Sequence, residues 1–217
     1  MATPEFVFAR MGYYLDDYKL IQTGIDLCGR YFINLETGKI DDRHSFLTTP
    51  DRLKDYIESA SHISGASHAR RMLRWVIPNS GSPEETRVFL QYCLPLRFGS
   101  FALPLMQLNF DIGSGRLSGL TEQGAYCIDI ANAELKAGIE YDGEDSHQDS
   151  WKDIRRRNEL GALGWNIFPI EKSVLYNPIR SMRFGMQMRH FFKLRNRMPK
   201  NWDEKFEKLR SSIGLPI

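Results

Sequence analysis

With 217 residues the chain can bury one large core or two small ones. Its 42% apolar and 26% charged residues are ordinary for a soluble globular protein, and no apolar run approaches the length needed to span a bilayer. The formal net charge of +2 says little about partners, but its distribution says more: Arg180 to Arg210 holds ten Lys/Arg against three Asp/Glu. That basic end either follows a phosphate backbone or is a solvated helix face. Cys28, Cys93 and Cys127 form no CxxC pair, so neither a disulfide framework nor a zinc ribbon is expected, only reduced and mostly buried thiols. The opening residues lack a basic start followed by an apolar core, so no secretory leader is expected and the location implied is cytoplasmic.

In chain order, Arg30 to Leu35 reads as a strand entering a turn at Glu36-Thr37-Gly38-Lys39. Thr49-Pro50 then opens a helix to about Ala60, and a second helix is expected from Ser67 to Val76. Pro78-Asn79-Ser80-Gly81 breaks that helix and sets a boundary between an N-terminal mixed region, 1–80, and a second unit, 81–172. Ser82-Pro83-Glu84-Glu85 starts a helix to about Leu94, with Ser82 as cap and Glu85 where a capping-box carboxylate belongs. Alternation from Leu105 to Ile112 predicts a half-buried strand, with Gln107 and Asn109 on its wet face. After a Gly/Ser-rich connection, Tyr126–Ile130 and Leu135–Asp142 read as the two strands of a hairpin. Gln148–Leu163 is helical, and Trp165–Ile170 is a short strand. The remainder, 173–217, is a basic helical extension, with Phe184, Met188, Phe191 and Phe192 on one side and Arg183, Arg189, His190, Lys193 and Arg197 on the other.

Carboxylates gather on the hairpin. Asp129 sits in an otherwise apolar run, where an unpaired charge is costly. On the next strand, alternation sends Lys136, Glu140 and Asp142 to one side. If the strands pair, Asp129, Glu140 and Asp142 converge, and close carboxylates repel unless a cation sits between them. Oxygen ligands alone suit Mg²⁺ or Mn²⁺.

An aspartate on one strand followed about ten residues later by Glu140-Tyr141-Asp142 resembles the PD-(D/E)xK nuclease pattern. More narrowly, Ile139-Glu140-Tyr141-Asp142-Gly143, His147, Asp153, Arg156, Leu160 and Gly164-Trp165 are similar to the very-short-patch-repair-endonuclease-like subgroup. With Ser82-Pro83-Glu84-Glu85-Thr86 as its first core helix, the resemblance spans roughly 90 residues. It implies an α/β fold: a restriction-endonuclease-like mixed sheet flanked by helices, preceded by a small mixed N-terminal region and followed by C-terminal helices. It also implies Asp129 and Glu140 as metal ligands, Asp142 as a further ligand or orienting acid, Glu85 at the rim, and His147 as general base. Arg156 would face the phosphate or pair with a carboxylate, Arg157 would contact the nucleic acid, and Lys136 or Lys152 would stand in for the lysine that Asp142 replaces.

Each residue also has a plainer reading. Glu85 would only cap its helix, Asp129 would be a buried acid paired with Arg156, and His147 would be a surface or packing residue. The function implied is Mg²⁺- or Mn²⁺-dependent phosphodiester hydrolysis by an endonuclease, on DNA in preference to RNA and away from membranes. The alternative is a nucleic-acid-binding or toxin–antitoxin-type regulatory protein on a nuclease-like scaffold that does not cut.

Overall fold

The computed structural model of the chain describes residues 2–43, 45–113, 125–143 and 150–217, without the side chains of Ser150, Lys152 and Asp153. Helices begin where the sequence supplies caps. Thr49 Oγ1 accepts from the Arg52 amide at 3.3 Å to start α3 (Pro50–Ser59), and Ser82 Oγ accepts from the Glu85 amide at 3.1 Å to start α5 (Pro83–Cys93). The same device starts two helices that the sequence analysis did not foresee. Thr3 with Pro4 caps α1 (Pro4–Met11), and Asp16 caps α2 (Asp17–Leu27). The strand read near residue 31 is β1 (Tyr31–Ile33), which pairs antiparallel with β2 (Ile40–Asp42) in a small separate hairpin. The second N-terminal helix, α4, is shorter than expected, Ala66–Leu73.

A four-stranded mixed sheet forms the centre. β3 (Gln107–Ile112), β4 (Tyr126–Asn132) and β5 (Ala137–Asp142) run antiparallel in succession, and β6 (Asn166–Glu171) lies parallel to β5, giving the order β3-β4-β5-β6. The parallel step needs a crossover, which α6 (Ser150–Ala162) provides. Pro169 lacks a donor, and its place in an edge strand tolerates that.

Adjacent strand residues face opposite ways. Ile130 belongs to one buried cluster with Leu108, Ile139 and the α5 residues Val88 and Phe89, while Ala131 belongs to a second with Trp165 and Leu160 of α6. The sheet is therefore covered by α5 on one face and by α6 on the other. The α5 face belongs to a core that continues without a break through Phe8, Ile21 and Leu53 on the N-terminal side and Trp202 and Phe206 on the C-terminal side. The region before residue 80 thus shares an apolar interior with the sheet.

The C-terminal segment holds α7 (Lys172–Leu175), α8 (Pro178–Phe191) and α9 (Trp202–Ser212). Here one expectation is corrected: Arg189 does not project to solvent. It is buried, with Nη1 donating to the Phe101 carbonyl at 2.8 Å and Nη2 to the Asn196 carbonyl at 2.6 Å. Arg210 is fully buried as well, donating to the Pro216 and Leu175 carbonyls. Among the described residues no helix is long and apolar enough to cross a membrane.

Candidate functional site

The β4–β5 ladder is short. Ile130 pairs with Ile139, Ala131 with Gly138 and Asn132 with Ala137, and there the pairing ends, although β4 stays on β3 to Tyr126 and β5 stays on β6 to Asp142. The close end is held tight by Gly138, where an added Cβ would stand 2.5 Å from the Ile128 side chain and 2.9 Å from the Ile130 carbonyl. Beyond Ile130 the two strands part, and polar groups fill the opening.

Asp129 and Glu140 are the next residues past the last pair, one on each side of the opening. Asp129 Oδ2 accepts from the Tyr141 amide at 2.8 Å, so a side chain replaces the ladder bond that a strand would have made. From the α6 side, Arg156 Nη2 donates both to Glu140 Oε1 and to the Cys127 carbonyl, pinning one strand to the other. Its Cζ lies 5.5 Å from the centre of the Tyr126 ring. The arginine predicted to pair with a carboxylate therefore does so, but with Glu140 and not with Asp129.

Glu85 reaches the same place from α5. It goes beyond the capping box: its carboxylate accepts from the Gly81 amide at 2.8 Å, the Ser82 hydroxyl at 3.1 Å and Asn109 Nδ2 at 2.6 Å. Asn109 is the member of this group that the sequence analysis assigned to a wet strand face. It occupies the slot opposite Asp129, between the pairs Leu108–Ile130 and Phe110–Ile128, with φ at 47°. Asn109 Nδ2 also donates to the Asn79 carbonyl at 2.8 Å, tying β3 to the segment before α5. Asparagine tolerates the left-handed region better than other non-glycine residues, which is the one sequence signal that marks it.

Burial and the neighbouring charges of Glu85 and Glu140 push the Asp129 carboxyl up to about 7, against the pull of the Tyr141 amide and Arg156. Burial also raises Glu85, in spite of its three donors. Three carboxylates and one guanidinium thus share a poorly hydrated opening, and Asp129 is balanced between its protonated and charged forms near neutral pH.

Asp142 lies two residues beyond Glu140, and with Glu140, Tyr141, Arg156 and Arg157 it lines a cleft of about 190 Å³. A second cleft, of about 300 Å³, runs along β3 between Arg30, Asn79, Asn109 and Asp111. Lys136 is elsewhere. It sits in the turn before β5 with φ at 46°, and its Nζ donates to the Leu163 carbonyl at the end of α6, 2.9 Å away. The predicted alternation through Lys136 fails because that residue precedes the strand. His147 and the side chain of Lys152 lie outside the described residues.

Among the described residues, no group of three or more His, Cys, Asp or Glu side chains comes together as a ready-made metal site. In kind, the donors suit a hard cation, since they are carboxylate oxygens. In position, Glu140 Oε1 is already paired with Arg156, and Asp129 Oδ2 with the Tyr141 amide. The three cysteines are unpaired, and burial pushes the Cys28 and Cys127 thiols up to about 12, which leaves them unreactive at neutral pH. No family model, curated protein or solved structure matches the chain.

Proposed function

We propose that the chain is a divalent-cation-dependent phosphodiesterase of the PD-(D/E)xK kind, an endonuclease acting on DNA. The observation that carries this reading is the placing of Asp129 and Glu140 on either side of the opening where β4 and β5 part, with the Asp129 carboxyl pushed up to about 7 by burial and by the neighbouring charges of Glu85 and Glu140. Repulsion between neighbouring carboxylates is what a hard dication relieves. The order α5-β3-β4-β5-α6-β6, with three antiparallel strands and a parallel fourth, supports a restriction-endonuclease-like core.

Asp129 and Glu140 would hold Mg²⁺ or Mn²⁺, with Asp142 beside Glu140 at the cleft wall. A bound ion supplies Lewis acidity toward the phosphodiester and makes water a better nucleophile. The Tyr141 amide, donating to Asp129 Oδ2, fixes how that carboxylate faces the opening. Arg157, exposed at the same cleft, offers a second phosphate contact.

Supercoiled plasmid incubated with the protein and Mg²⁺ or Mn²⁺ is expected to be nicked, and Glu140→Ala to lose activity by about a hundredfold or more, the scale on which electrostatic groups at a reacting centre act. Equal nicking by both proteins, or none with either ion, would sink the enzymatic reading. A second reading, a binding protein that does not cut, is favoured by the Glu140–Arg156 pair, which already neutralises one carboxylate. Salt-sensitive DNA binding without nicking would select it.

A further inference from the structure

We propose that the β1–β2 hairpin is a self-association surface. Two copies of the chain pair their β2 strands antiparallel about a two-fold axis at Ile40, and the two hairpins become one four-stranded sheet.

Apolar surface is concentrated on this hairpin. Phe32, Ile33, Leu35, Ile40, Phe46 and Leu47 are all exposed, Leu35 almost entirely at 96%. Phe46 stands at the base, its ring centre 6.0 Å from Arg30 Cζ. Among the described residues no third strand joins β1 and β2, and a two-stranded ribbon is marginally stable alone. β2 is the strand that stands clear. Ile40 and Asp42 are exposed, whereas Tyr31 of β1 is buried, with its hydroxyl donating to Asp26 at 2.6 Å. Charge narrows the choice of partner. Residues 30–47 carry Arg30, Lys39 and Arg43 against Glu36, Asp41 and Asp42. A balanced, apolar ribbon suits another protein surface better than phosphates or an anionic bilayer.

The hydrogen-bond pattern singles out a second copy. The Arg43 amide donates to the Arg30 carbonyl and the Asn34 amide to the Lys39 carbonyl. Inward-facing backbone groups alternate with outward-facing ones along β2, so those of Ile40 and Asp42 face its outer edge. Pairing that edge with itself about a two-fold axis within β2 allows three registers. Centred on Asp41 or on Asp42, the pairing sets two aspartates directly opposite one another, which is destabilising. Centred on Ile40, it sets isoleucine against isoleucine and Lys39 of each copy opposite Asp41 of the other. Cross-strand partners share a face, so Ile33 and Ile40 of both copies then form an unbroken apolar row across four strands. Six large apolar side chains with an added strand pair can bury on the order of 500 Å² on each copy. Together the two reach the roughly 1,000 Å² at which specific interfaces begin.

The experiment is sedimentation velocity on the full chain over a range of concentrations, with circular dichroism to check that each variant is folded. Wild type is expected to pass from monomer to dimer across about 1–100 µM, the affinity range of a small interface. Ile40→Arg removes two buried isoleucines from the axis and should weaken the dimer by about tenfold or more. Lys39→Glu, which opposes two acids twice over, should weaken it by about fivefold. Lys39→Glu combined with Asp41→Lys exchanges the partners and should return the dimer to within about twofold of wild type. A wild type that stays monomeric overturns the proposal, whether the hairpin is bare or takes a different protein. A dimer indifferent to Ile40→Arg overturns it as well, because its interface lies elsewhere. A charge exchange that fails to restore the dimer overturns the pairing about Ile40.

Discussion

At pH 8 Asp129 carries a charge that its surroundings oppose, because burial and two neighbouring carboxylates raise its pKa to about 7 from the ordinary 3.8. The folded state thus binds more protons than the unfolded one between those two values, and stability falls as pH rises through that window. Asparagine at this position keeps an oxygen for the Tyr141 amide and does not titrate. Asp129→Asn is therefore expected to unfold at a temperature at or above wild type at pH 8, with the advantage shrinking as pH falls and gone below about pH 4. Thermal denaturation at the two pH values checks it. A variant with the same pH slope as wild type would mean that Asp129 is not the raised acid. Glu85, raised in the same direction, would leave a residual slope.

At the scale of elements, Asn109 couples strand and helix. Its amide serves Glu85 and Asn79, and its backbone takes a conformation that costs an alanine about 1 kcal/mol. Asn109→Gly is expected to lose about 1–3 kcal/mol through the unmet hydrogen bonds, and Asn109→Ala about 1 kcal/mol more. Urea midpoints for the pair divide the backbone share from the side-chain share. The elements around Asn109 were legible beforehand: strand alternation, the Ser82 cap and the hairpin at Tyr126–Asp142 gave β3, β4, β5, α5 and α6 to within a few residues. The site was legible less evenly. Asp129 and Glu140 stood out because a charge in an apolar run needs a reason. The strand separation did not, since it depends on where pairing stops, which alternation does not encode. Lys136 departs from the expected alternation for a related reason: it belongs to the turn, where a period of two no longer applies. For α1 and α2, Thr3-Pro4 and Asp16 carry the same capping signals that mark α3 and α5.

For the whole molecule, the shared interior matters more than the Pro/Gly/Ser punctuation near residue 80. Phe8, Ile21 and Leu53 lie in one core with Val88, Leu108 and Trp202, and Ser212 Oγ donates to Asp16 Oδ2 at 2.5 Å across the two ends of the chain. A fragment comprising 81–217 would expose much of that apolar surface. It is expected to lose cooperative thermal unfolding, which scanning calorimetry on the fragment and the full chain would reveal; a sharp transition in the fragment would argue for an independent unit. The basic character of the C-terminal segment is also reduced in the folded molecule, because Arg189 and Arg210 spend their donors on backbone carbonyls inside. The exposed set that a nucleic acid would meet is led instead by Arg183, Lys193, Arg195 and Arg197.

The parting of β4 from β5 has a spectroscopic consequence. Because the Tyr141 N–H points at a carboxylate oxygen where a neighbouring strand's carbonyl would ordinarily be, its magnetic resonance is sensitive to the ionisation of Asp129. The hydrogen bond strengthens when its acceptor becomes anionic, which shifts the amide proton downfield. One backbone signal on β5 is in this way an internal indicator for the opening, able to register a lost proton or an arriving ligand with no label placed in the site itself.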